Sequence, residues 1–261
     1  MNGIRLGLCC ITKLALGVAL TLCIALQAEA SSLLSITVGA TTLSCNTTGS
    51  ACITPGFTGV AGGNTITFSG MINGVSFGNV QLIGNAPGTP SVAFVLDTKS
   101  ALDNTNSSLE TVTVQFATNG FTQPVGTGFL SASQTANWSI SAAGDTQGFI
   151  AWERNDNALT VPGPGVGGAT AVSPNCVSPG GLSNSCSSEF DNSPASPVNP
   201  FALTGQEIIT MSAGSVASYS GTTTLTATPI GVPVPEPSSV ILVGFGLLML
   251  AGRQWRKGGR R

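Results

Sequence analysis

Glu153 and Asp156, with Arg154 between them, are the acids of this chain whose spacing suggests a chemistry. Glycosidases cleave their bond between two carboxyl groups about 5–10 Å apart. A guanidinium beside such a pair tunes which acid keeps its proton. Acids this close also arise wherever a strand runs out into a polar turn, and Asn155-Asp156-Asn157 has that composition. No second motif supports the pair, so no catalytic residue is assigned and the chain is expected not to be an enzyme. A secreted carboxylate-dependent hydrolase stays as the least favoured alternative. The 261 residues contain no histidine, which removes every Ser-His-Asp or Cys-His nucleophile and every site needing imidazole.

Hard oxygen ligands gather in two places, at Asp97, Asp103, Asn104 and Asn106 and again at Glu189, Asp191 and Asn192. They suit Ca²⁺ by type, but neither set has the spacing of a known calcium loop, and turn-capping is the favoured role. No metal or cofactor is assigned. Trp138 and Trp152 offer faces on which a sugar ring can stack, yet both lie in strand-like runs, where a core anchor is the better reading. The sequons at Asn46, Asn106 and Asn137 arise easily in a chain this rich in Asn, Ser and Thr.

These residues must be positioned by short strands. In 109–116, Val112, Val114 and Phe116 alternate with Thr111, Thr113 and Gln115, the pattern of a half-buried strand. Similar segments occupy 34–38, 65–69, 75–83, 91–97, 128–132, 137–142, 147–153, 207–212 and 222–228, with turn signals such as Asn73-Gly74, Asn119-Gly120 and Ala143-Gly144-Asp145 between some of them. No helical period appears in the body, which predicts an all-β fold: an antiparallel β-sandwich or jelly-roll-like ectodomain over 31–230. The Gly- and Pro-rich stretch 161–200 is expected to be a loop, since such composition does not sustain regular structure.

Three unlike parts hide behind the formal charge of −2. Residues 1–30 hold Arg5 and Lys13, an apolar run over 14–26, and the small residues Ala28 and Ala30 before Ser31, which reads as a signal peptide cleaved ahead of Ser31. The body, 31–234, has nine acidic residues against Lys99 and Arg154, a formal −7. Clustered basic residues for nucleic acid are absent from it. Export carries Cys45, Cys52, Cys176 and Cys186 into an oxidising compartment. Of the three pairings that four cysteines allow, sequence proximity favours Cys45 with Cys52 and Cys176 with Cys186, each contributing about 2–3 kcal/mol.

The C-terminus carries an extended Val-Pro-Glu-Pro at 234–237, an apolar run over 240–251, and a basic end with Arg253, Arg256, Lys257, Arg260 and Arg261. The apolar run with its two preceding serines spans roughly 20 Å as a helix, short for a bilayer core of about 30 Å. Snorkelling arginines extend it and hold the end in the cytoplasm, so a C-terminal transmembrane helix is expected.

Residues 231–261, with Pro235, Glu236 and Pro237 followed by helix and basic tail, resemble the sorting signal of the PEP-CTERM proteins of Gram-negative bacteria. The tail is longer than usual and is interrupted by Trp255 and Gly258-Gly259. The resemblance implies an exosortase as processing partner, cleavage near the triplet, transient anchoring in the inner membrane, and delivery to the cell surface or beyond. It also implies association with exopolysaccharide and biofilm. The expected role is a structural or weakly adhesive matrix protein, with a carbohydrate-binding adhesin module as the alternative.

Overall fold

The computed structural model describes residues 30–165 and 167–227. Ala28 and the rest of the expected signal helix lie outside them, as do Pro235, Glu236, Pro237, the basic tail and the expected transmembrane helix. Among the described residues no helix is long and apolar enough to cross a membrane, and the regular structure is β throughout.

Eleven strands follow one another: β1 (Ser32–Val38), β2 (Thr41–Asn46), β3 (Phe57–Thr58), β4 (Thr65–Ile72), β5 (Val75–Gly84), β6 (Val92–Asn104), β7 (Glu110–Phe121), β8 (Gly128–Arg154), β9 (Thr170–Ala195), β10 (Phe201–Met211) and β11 (Val216–Ala227). Alternation decides which side chains go in. On β7, Val112, Val114 and Phe116 are fully buried, and they lie opposite Val38, Ile36 and Leu34 of β1, equally buried. Thr111, Thr113 and Gln115 take the outer face because successive side chains point to opposite sides of a strand. The Asn73-Gly74 turn joins β4 to β5 with both residues at positive φ, 45° and 75°, as a two-residue hairpin turn requires.

The sheet is all-antiparallel, as expected, but it is a single sheet and not two separate ones. Its order is β2-β1-β7-β10-β8-β11-β6-β5-β4-β3, with β9 attached to β8. Its two halves turn inward on a shared core, so that β1 meets β4 and β10 meets β6, and the sheet nearly closes into a barrel.

The long strand β8 makes this possible. The sequence predicts three separate segments here; the structure has one strand of 27 residues. Its first part (128–140) pairs with β11 and its last part (146–154) with β10, while β9 runs along its other side throughout. Ala143-Gly144-Asp145 is therefore a bend inside the strand, with Gly144 at φ 96°, and not a turn between strands. Asp145, fully buried, fixes it: its carboxylate accepts from Ala142 N (3.1 Å), Ser212 N (2.8 Å) and Ser215 Oγ (2.6 Å), tying the bend to the β10–β11 connection.

The expected loop over 161–200 needs the largest correction, because 170–195 form β9. A strand with only one neighbour tolerates proline, since the missing N–H can fall on the unpaired side. Pro179 and Pro194 do sit in register opposite Ala143 and Phe129. The glycines act at the bend, where Gly180 and Gly181 take φ of 87° and 99°. There β9 doubles back with β8: Cys176 and Cys186 have Cα atoms 5.6 Å apart, where ten residues of straight strand reach about 33 Å. Ser173 and Ser188 bond across the fold at 2.8 Å.

Both disulfides expected from sequence proximity are present, and each sits at a seam of the folded sheet. Cys176–Cys186 staples the two limbs of β9, and Cys45–Cys52 joins β2 to the segment leading into β3. Inside, the rings of Phe116 and Phe149 stack with centroids 5.9 Å apart. They need glycine beside them: a Cβ on Gly205 would come within 2.4 Å of the Phe116 ring, and one on Gly221 within 2.9 Å of the Phe149 ring.

Candidate functional site

A charged cluster occupies the core. Ala93, Val95, Asp97 and Lys99 share the inner face of β6, and Glu207 shares that of β10 with Ile209 and Met211. A strand that buries its neighbours two residues away has no means of turning one such side chain out. Asp97, Lys99 and Glu207 are consequently all buried. Lys99 Nζ is ion-paired both to Asp97 Oδ2 and to Glu207 Oε2, and so links the two halves of the sheet. Gln147 on β8 donates through Nε2 to Glu207 Oε1 and to Ser220 O (2.9 Å). Asp97 Oδ1 has no partner.

Burial dominates the ionisation of these groups. Loss of water pushes the Asp97 carboxyl up, against the pull of Lys99. It pushes Glu207 up to about 7, again against Lys99, with the Asp97 charge adding to the rise. Burial works the other way on Lys99, but the two carboxylates outweigh it and hold its ammonium above the ordinary range. Burial also raises the Tyr219 phenol, which accepts from Trp138 Nε1 at 3.1 Å.

The acids singled out by spacing do not meet. Glu153 points into the protein and is fully buried; its Oε2 accepts from Ala169 N at 3.2 Å, and its Oε1 has no partner. Desolvation raises its carboxyl. Asp156 lies outside with its side chain 42% exposed, gripped by Arg154 through Nε and Nη2 at 3.1 and 2.7 Å. That hydrogen bonding lowers its carboxyl. Arg154 also donates to Gly163 O at 2.8 Å, so it pins the segment after β8 and leaves Glu153 untouched.

The Asx-rich group is dispersed too. Asp97 belongs to the core cluster, whereas Asn104 ties the end of β6 to the end of β10 by donating to Met211 O (2.9 Å) and Ser212 O (3.1 Å). Asn106 donates to Asn73 O (2.7 Å) and to Glu110 Oε1 (3.0 Å). Glu189 and Asp191 stand exposed on β9. Among the described residues no three or more potential ligands form a metal-binding group. Trp138 and Trp152, 1% and 6% exposed, are core residues as expected, so neither offers a face to a sugar.

Sequence reasoning passes over Lys99 and Glu207. On β6, Phe94 and Leu96 are as apolar as the buried Ala93 and Val95, and on β10, Ile208 is 41% exposed beside buried Glu207. Composition misassigns the faces there, and only the pairing register separates them.

Residues 233–257 match the model of the PEP-CTERM protein-sorting motif. The C-terminus carries a PEP-CTERM sorting signal. It includes the triplet Pro235-Glu236-Pro237, the apolar run and the first basic residues. No curated protein matches the chain. Among solved structures, the TmCBM61 module in complex with beta-1,4-galactotriose is similar at 8% identity and a TM-score of 0.30, over 56% of this chain and 87% of that one. The CBM22-1-GH10 modules of Clostridium thermocellum xylanase 10B, complexed with xylohexaose, are similar at 11% identity and a TM-score of 0.25, over 51% of this chain and 22% of that one. A carbohydrate-binding module of the beta-sandwich superfamily is similar at 10% identity and a TM-score of 0.22, over 73% and 82%. Similarity at this level says nothing of a ligand.

Proposed function

We propose that this chain is a non-enzymatic surface or matrix protein, exported by its N-terminal signal and sorted through its PEP-CTERM tail by an exosortase. The match over 233–257 carries the reading. The tail holds the precursor in the inner membrane through its apolar run and basic end. Cleavage near Pro235-Glu236-Pro237 frees the β-domain for the cell surface or the surrounding exopolysaccharide of a biofilm, where it acts as a structural or weakly adhesive element. Two disulfides, Cys45–Cys52 and Cys176–Cys186, support passage through an oxidising compartment.

Mass spectrometry of the form recovered outside the cell tests this reading. The expected product begins at Ser31 and ends at or near the triplet, without Arg253, Arg256, Lys257, Arg260 or Arg261. A surface form that keeps its basic tail contradicts it.

A further inference from the structure

Lys99 is one of two basic residues between Lys13 and Arg253, and the fold spends it in the core with two acids that outnumber it. Holding three charges out of water is costly even when they pair. A neutral amide loses far less on burial than an ammonium and a carboxylate do. The three groups are also arranged for one reaction and not merely for attraction. Lys99 Nζ lies against Glu207 Oε2, so the amine and the carboxyl carbon are held together without the entropic cost of encounter. Gln147 Nε2 donates to the other oxygen, Oε1, and polarises the carbonyl at which negative charge develops on attack. Asp97 Oδ2 contacts the same Nζ from the lysine's own strand and can take its proton, while Oδ1 stands free.

We propose that Lys99 and Glu207 condense into an intramolecular amide that joins β6 to β10 across the core, with Asp97 as the proton carrier. This cross-link is independent of how the tail is processed. Starting from the ammonium, a protonated Glu207 and an ionised Asp97, the lysine passes a proton to Asp97. The free amine then attacks Glu207 Cδ, the Cδ–Nζ bond forms, and the Cδ–Oε2 bond breaks. Asp97 relays a nitrogen proton to the departing hydroxyl, which leaves as water. The core is left with a neutral amide and a protonated Asp97, and no oxidant or further reactant is needed. The rise of Glu207 to about 7 supplies the protonated acid at neutral pH. Asp97 is distinguished as carrier, and Glu207 as acceptor, by the donor from Gln147, which reaches Glu207 and not Asp97.

Trypsin reads the bond directly. In the denatured, reduced chain it cuts only after Lys99 and Arg154 between Lys13 and Arg253. An acylated Lys99 is not cut, and the amide holds the piece beyond Arg154 to the piece before it. The expected digest of the exported protein has one branched species, lighter by one water than its linear parts, with fragment ions joining Lys99 to Glu207. Lys99→Arg should yield three linear pieces. Asp97→Asn, with its fold checked by near-ultraviolet circular dichroism, should accumulate the unlinked chain. Three linear pieces of full mass from the wild-type protein overturn the proposal, as does a bond mapped from Lys99 to Asp97. Undiminished linkage in Asp97→Asn overturns the role given to Asp97.

Discussion

Glu153 brings a carboxyl into the interior with one oxygen bonded to Ala169 N and the other unpartnered. Its folded form binds a proton more tightly than the unfolded chain does, because burial raises it above the ordinary 4.5. The stabilisation from this excess binding is fully present below the unfolded value and is lost as pH rises through the folded one. Glu153→Gln keeps the acceptor for Ala169 N and removes the charge. The variant should therefore match wild type near about pH 4 and exceed it near about pH 8 in denaturant midpoint; parallel pH curves for the two proteins contradict this assignment. The same residue shows what could not be read beforehand. Spacing placed Glu153 beside Asp156, but the strand carries one inward and the turn carries the other out to Arg154.

Strands are where the sequence was most legible, and β7 and β1 show why. Their apolar residues alternate with threonine, serine and glutamine, so one face declares itself. β9 was illegible because it is an edge that folds over: proline and glycine rule out a central strand but not a bent strand with one neighbour. The cysteines spoke more clearly than the segment holding them, since residues so close in sequence are likewise close at the seam. Removing that staple tests its importance. Cys176→Ala with Cys186→Ala should cost about 2–3 kcal/mol in chemical unfolding by freeing a closed loop in the unfolded chain. The β signal in the far ultraviolet should persist, because β8 still pairs with β10 and β11. An unchanged unfolding midpoint would show that the two limbs of β9 are held by other contacts.

At the scale of the whole molecule, charge is divided unevenly along the chain. The body holds nine acids against two basic residues, while five basic residues crowd into the last nine positions. In the proposed reading, the acidic, disulfide-closed domain lies outside the cell and the basic end beside the apolar run stays in the cytoplasm. The single continuous sheet was not readable, since nothing in local composition says that one strand of 27 residues serves both halves. The sorting tail was readable because its grammar is linear: triplet, apolar run and basic end follow in order over 233–257. Replacing Pro235, Glu236 and Pro237 together by alanine and fractionating the cells tests the account at its centre. Wild type should appear outside the inner membrane as a shortened chain, and the variant should remain in that membrane at full precursor length. A variant shortened and released as efficiently as wild type contradicts it.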